Sequence, residues 1–143
     1  GKGPLERKYR KLCQKLPNPA VMEFFEPARL LEILHMADLY VHTSDAEIEA
    51  MSCMEAFACG LVPVIADSPR SATPQFALDD RSLFPAGDSA ALAEKIDWWI
   101  EHPREREEMG RRYGESARQY ALERSIEQTE DMFRQAILET DKR

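Results

Sequence analysis

Apolar residues recur along this chain first at helical spacing and then in short unbroken runs. Leu5, Tyr9, Leu12 and Leu16 share one face of a helix predicted over residues 5–16, and Arg7, Lys8, Arg10, Lys11 and Lys15 take the opposite face. The prolines within 16–20 end that helix. Residues 20–25 read as a strand, and residues 27–37 as a second helix with Pro27 in its first turn. A short strand follows at 38–43, then a helix at 51–59 whose left-handed C-terminal cap suits Gly60. The run Leu61-Val62-Pro63-Val64-Ile65-Ala66 is apolar without alternation, as in a strand covered on both faces. Pro63 within it points to an edge strand or a bulge. Residues 68–80 carry turn chemistry, and 82–84 form a short strand. Three helices close the chain: one capped by Asp88 or Ser89 and running to 101, one from Pro103 to about 120, and one over 124–139.

Strands alternating with helices of this length imply βαβ units and a parallel sheet. The expectation is one α/β domain over residues 1–143, a Rossmann-like parallel sheet flanked by helices with extra helices at its C-terminal end. The opening "GKGP" reads as the exit from a strand that is not in the sequence, which suggests a piece of a longer protein. The net charge of −7 disfavours general nucleic-acid binding, which needs a positive field. No apolar run approaches the roughly 20 residues of a membrane-spanning helix. Cys13, Cys53 and Cys59 are odd in number and lack C-x-x-C spacing, so a disulfide framework and a zinc site are both disfavoured and a reducing, cytoplasmic setting fits.

The chemistry concentrates in "DAEIEAMSCMEAFACGLVPVIADS", residues 45–68. It holds Glu47 and Glu55, with seven residues between them. Two readings stand side by side. Ser44-x-x-Glu47 and Ser52-x-x-Glu55 both match a capping box, in which each acid holds a backbone N–H at a helix start. Alternatively, both acids lie where a strand turns into a helix, the edge at which parallel sheets bind ligands. Unpaired N–H groups at a helix start attract a diphosphate. Carboxylates accept from vicinal hydroxyls such as those of a ribose or a hexose.

These residues resemble a known signature. Glu47 through Glu55, Ala56, Ala58, Gly60 and Pro63-Val64-Ile65 are similar to the E-x7-E motif of retaining glycosyltransferases of family 4, which have the two-lobed GT-B architecture. "GKGP", "PARLLEILHMADLYVHTS", "LFPAGDSAALAEKI" and "ERSIEQTEDMF" resemble further stretches of the C-terminal, donor-binding lobe. Within the family, "EIEAMSCMEAF" and "SATPQFALDDRSLF" look most like bacterial diacylglycerol glucosyltransferases. The resemblance implies that Glu47 faces the transferred sugar as the catalytic acid, and that Glu55 holds the ribose. Ile48, Glu49, Ala50 and Met51 then supply backbone along the sugar and diphosphate, and Phe25 and Glu26 lie at the base-binding loop. It further implies UDP-glucose as donor substrate, no cofactor and no metal, an acceptor hydroxyl such as that of a glycerolipid, and a separate N-terminal acceptor lobe carrying the cationic phosphate clamp. Peripheral contact with a membrane follows for the full protein, and these residues alone are expected to be inactive. The family's Gly-Phe-Gly is replaced here by Ile48-Glu49-Ala50, which restricts the backbone and adds a carboxylate.

Other features carry less. His42, at the carboxyl end of a strand, is within expected reach of the donor. His35 and His102 read as structural, Cys53 and Cys59 as core, and Trp98 and Trp99 as one buried and one partly exposed ring. The two glycines of "GKGPLE" lack the third that a dinucleotide fingerprint needs. A solvated surface is the ordinary reading of the basic helix face, and contact with anionic lipid the sharper one. Two further classes compete: a binding or regulatory module that kept the fold and lost catalysis, and an unrelated receiver-like domain. The receiver needs acids after its first strand, and here they follow a later one.

Overall fold

A computed structural model describes residues 3–18 and 20–140. They divide into two compact units between Ile33 and Leu34. In the first, α1 (Glu6–Cys13) is shorter than its apolar periodicity predicts. Arg10 reaches from it to the carboxylate of Glu6 at 2.9 Å and to the Met22 carbonyl at 2.8 Å. Residues 20–26 have no regular structure and join no ladder, so the strand expected at 20–25 is not formed. Apolar content gives a segment strand propensity, but a strand exists only where a neighbour completes its hydrogen bonds. Helix α2 (Pro27–Met36) starts where the proline predicts, with the Glu26 carbonyl accepting from the Leu30 N–H. The glycine turn expected at the chain start falls partly on Gly1 and Lys2, and the break at 16–20 partly on Pro19; these three lie outside the described residues.

The second unit is built on three parallel strands in the order β1-β2-β3. They are β1 (Leu39–His42), β2 (Val62–Asp67) and β3 (Leu83–Pro85). Helix α3 (Met51–Ala58) makes the crossover from β1 to β2. Helices α4 (Ser89–Glu101), α5 (Pro103–Ala117) and α6 (Leu122–Thr140) follow. This is the α/β Rossmann-like arrangement that the sequence predicts. Strand β2 is central, so the edge position expected from Pro63 is wrong. The β2–β3 register begins only at Ile65, opposite Leu83, whereas Pro63 pairs with Tyr40 of β1. At its own level Pro63 therefore has a single neighbouring strand, and its missing donor costs the β3 ladder nothing.

The core forms around β2. Val62, Val64, Ile65 and Ala66 are buried against Cys53 and Phe57 of α3, Trp99 of α4, and Met109 and Tyr113 of α5. Trp99 is fully covered and Trp98 only partly, as their adjacency requires. Tyr113 also anchors a loop: its hydroxyl accepts from the Leu78 N–H at 2.9 Å and donates to Ser82 Oγ at 3.2 Å. Asp88 caps α4 by accepting from the N–H groups of Ala90 and Ala91, both at 3.0 Å. His102 is structural, with Nδ1 2.7 Å from the Trp98 carbonyl and its ring stacked on Trp98.

Helices α3 and α5 approach through glycine. Gly60 ends α3 at φ +76°, and a Cβ on Gly110 would lie 2.3 Å from the Gly60 carbonyl oxygen. Backbone cannot swing aside as a side chain can. Gly110→Ala is therefore expected to lower stability by about 1–3 kcal/mol, read from denaturant unfolding at unchanged m-value.

Arg81 donates to Asp79 through Nε at 2.7 Å and a terminal nitrogen at 2.6 Å, and its guanidinium lies 4.9 Å from the Trp98 ring centre. The Arg81 hydrogen bonds draw the Asp79 pKa down to about 2 from its ordinary 3.8. A depressed carboxylate stabilises the fold above its unfolded pKa and loses that contribution as pH falls through the folded one. Between pH about 4 and about 2 the protein should lose about 1 kcal/mol more stability than its Asp79→Asn variant, with the partial exposure of the pair discounted.

Candidate functional site

The turn from β1 into α3 places the predicted site residues, and it is tied down from behind. Ser68 is buried, with its hydroxyl oxygen 2.7 Å from both the carbonyl oxygen and Oδ1 of Asp45. Arg70 pairs with Asp45. The Ala72 N–H donates to the Glu47 carbonyl at 2.9 Å, and Glu47 bridges Ser71 in parallel fashion. The loop after β2 therefore fixes the backbone path of the loop after β1.

That path ends at Ala50, which caps α3 in the left-handed conformation at φ 53° and ψ 45°, with no side-chain cap. Neither capping box forms. Ser52 and Glu55 both lie inside the helix, and no helix begins at Ser44. Among the described residues the N–H groups of Met51 and Ser52 donate to no protein acceptor. The first turn of α3 thus presents two free donors and the positive end of a helix dipole.

Glu47 is the first acid beside this tip. Its Oε1 accepts from the Ile48 N–H at 2.9 Å. That bond, with further help from the N–H groups of Ala50 and Glu49, holds its carboxyl below the usual carboxylate range. Ile48 and Glu49 point outward and are exposed. Glu55, one turn inside α3, lines a separate open cleft of ≈ 680 Å³ together with Met51, Met54, Arg111, Arg118 and Tyr120. Glu47 does not line that cleft. Phe25, partly buried, and Glu26, exposed, belong to the first unit just ahead of α2.

His42 is buried at the end of β1, and its Nε2 has no hydrogen-bond partner among the described residues. Its Nδ1 lies 3.0 Å from the Tyr40 hydroxyl, which is itself 2.7 Å from Ser52 Oγ in the first turn of α3. Burial keeps His42 below its ordinary pKa, against the opposing pull of Glu47. Burial likewise pushes Tyr40 far above its ordinary value, so it stays a protonated donor. Cys53, beneath them, is raised to about 11 by burial and is an inert core thiol. Sequence reasoning missed Tyr40 and gave Ser52 only a capping role, whereas their hydroxyls join the strand to the helix tip.

The chain is matched over residues 1–120 by the family "Glycosyl transferases group 1". It is also similar to the crystal structure of the catalytic domain of cholesterol-alpha-glucosyltransferase from Helicobacter pylori. The TM-score is 0.80 at 51% identity, over 85% of this chain and 76% of that one. No curated protein sequence matches. The chain belongs to the group 1 glycosyl transferases, and its sheet and helices are those of a GT-B domain.

The left-handed backbone of Ala50 has a measurable consequence. A non-glycine residue in the left-handed region is strained by about 1–2 kcal/mol, offset in part by the entropy that glycine adds to the unfolded chain. Ala50→Gly should therefore raise stability by about 0.5 kcal/mol in thermal unfolding. Ala93→Gly, at an exposed interior position of α4, should lower it by about 1 kcal/mol.

Proposed function

We propose that this chain is the donor-binding part of a retaining, family 4 glycosyltransferase. It moves glucose from UDP-glucose to the hydroxyl of a lipid acceptor, with a glycerolipid the first candidate. The observation that carries the reading is the uncapped tip of α3, with free N–H groups on Met51 and Ser52, Glu47 held in the loop just before it and Glu55 within the helix. The similar Helicobacter pylori protein is named for glucose transfer to cholesterol, which supports glucose as the sugar and a lipid hydroxyl as the acceptor.

The donor diphosphate takes the two free N–H groups, where the helix dipole favours negative charge as the sugar–phosphate bond breaks. Glu55 accepts from the ribose hydroxyls on the cleft side. Glu47 meets the hexose on the other side, and its low pKa keeps it ionised beside a sugar that becomes cationic in the transition state. Ile48, Glu49, Ala50 and Met51 carry the backbone between these points, and Phe25 and Glu26 contribute to base recognition. His42 acts from behind, orienting Tyr40 and Ser52 at the helix tip. We assign no resident cofactor or metal. The remaining leaving-group charge falls to the cationic clamp of an N-terminal acceptor lobe, and these residues without that lobe bind donor but do not turn it over. The free thiols of Cys13, Cys53 and Cys59 fit a cytoplasmic setting.

A second reading is a nucleotide-sugar-binding module without catalysis. Ile48-Glu49-Ala50 in place of Gly-Phe-Gly favours it, as does the capture of Glu47 by the N–H groups of its own loop. Calorimetry and turnover separate the two. Glu55→Ala should weaken UDP-glucose binding by about 1–3 kcal/mol, and unchanged affinity in the folded variant removes the ribose role. Glu47→Ala in the complete enzyme should bind donor and lose about a hundredfold in turnover. Donor binding with no turnover in the complete wild-type protein would establish the non-catalytic reading.

A further inference from the structure

His42, Tyr40 and Ser52 form a row of polar side chains that ends at the tip of α3. Nδ1 of His42 lies 3.0 Å from the Tyr40 hydroxyl, and that hydroxyl lies 2.7 Å from Ser52 Oγ. The two ends of the row differ. His42 is 7% exposed, and its Nε2 is buried with no partner among the described residues. Such an unmet polar atom costs about 1–3 kcal/mol, so packing alone does not account for a histidine there. Ser52 is exposed in the first turn of α3, and its N–H donates to no acceptor among the described residues. The Cys53 thiol also meets the Tyr40 hydroxyl, but a thiol is a weak partner.

Each hydroxyl has one proton to give, so the row runs in one direction or the other. Burial keeps His42 neutral at physiological pH, with its proton on one ring nitrogen. With the proton on Nε2 the row runs inward. Ser52 then donates to Tyr40, Tyr40 donates to His42 Nδ1, and a buried N–H is left without an acceptor. With the proton on Nδ1 it runs outward. His42 then donates to Tyr40, Tyr40 donates to Ser52, and the Ser52 hydroxyl keeps its own proton for an acceptor outside the protein. Orphaned buried N–H groups are rare, and only the outward form avoids one. Side chains on a helix lean toward its N-terminus, which brings Ser52 Oγ to the same end as the two free N–H groups. We propose that Ser52 is a further donor-binding residue, its hydroxyl giving the diphosphate a third hydrogen bond beside the N–H groups of Met51 and Ser52, and that Tyr40 and His42 are the positioning residues that turn this hydroxyl outward. A backbone N–H is aimed by the helix itself, whereas a hydroxyl rotates and is aimed only by what donates to it. The inference rests on the donor site described above and adds a side chain to it.

The test is calorimetric titration of the complete protein with UDP. Ser52→Ala should weaken binding about tenfold, the scale of one hydrogen bond to a charged acceptor. Alanine is the better helix former, so that loss does not reflect a weaker helix. Ser52→Thr keeps the hydroxyl and should bind within about threefold of the wild type. Tyr40→Phe, which keeps the ring and removes the relay, should fall between the wild type and Ser52→Ala. Long-range proton–nitrogen NMR of the UDP-bound protein reads the direction of the row, with the His42 proton expected on Nδ1 and Nε2 bare. Unchanged UDP affinity in Ser52→Ala overturns the proposal and leaves the donor site standing. So does a threonine variant as weak as the alanine one. Wild-type affinity in Tyr40→Phe, or a His42 proton on Nε2 with UDP bound, overturns the positioning role. A wild-type protein that does not bind UDP removes the donor site and this inference together.

Discussion

The N–H groups of Met51 and Ser52 open α3 with no acceptor among the described residues. A helix start is usually met by a serine, threonine or aspartate side chain. Here the cap residue is Ala50, which has nothing to offer, and it is turned into the left-handed region so that the chain enters the helix abruptly. The same chain caps α4 with the ordinary device, through Asp88. The contrast is the basis for proposing the bare tip of α3 as the donor site.

Much of the fold serves to hold that tip in place. Strand β2 is the most buried element, and α3 packs on it through Cys53 and Phe57. Gly60 and Gly110 let α5 press against the far end of α3 at backbone distance. Asp45, Ser68 and Arg70 tie the approach loop from one side, and Tyr40 reaches Ser52 from beneath. Position is thus fixed by packing and polar ties, whereas the strain sits at one residue, Ala50. A glycine at that position would relax the backbone.

The β1–α3–β2 unit was legible because its signals agree: an unbroken apolar run, a glycine at the helix end, and helical length between two strands. Residues 20–25 misled because strand propensity is local and strand pairing is not. Pro63 misled for a related reason, since the rule against proline in central strands assumes neighbours on both sides along the whole length. The acids Glu47 and Glu55 could be found from spacing, but the hold of the Ile48 N–H on Glu47 and the cleft beside Glu55 could not. The Tyr40–Ser52 contact spans 12 residues and the Gly60–Gly110 approach spans two helices, and neither leaves a periodic trace. The left-handed Ala50 is the least legible of all, because alanine is the residue expected to continue a helix.

The most direct test of this account is a UDP titration followed by backbone amide NMR in the folded protein. Hydrogen bonding to the diphosphate should move the Met51 and Ser52 amide protons downfield, saturating together with the calorimetric isotherm, while amides of α4 stay still. Saturable UDP binding with the Met51 and Ser52 amides unmoved would contradict it.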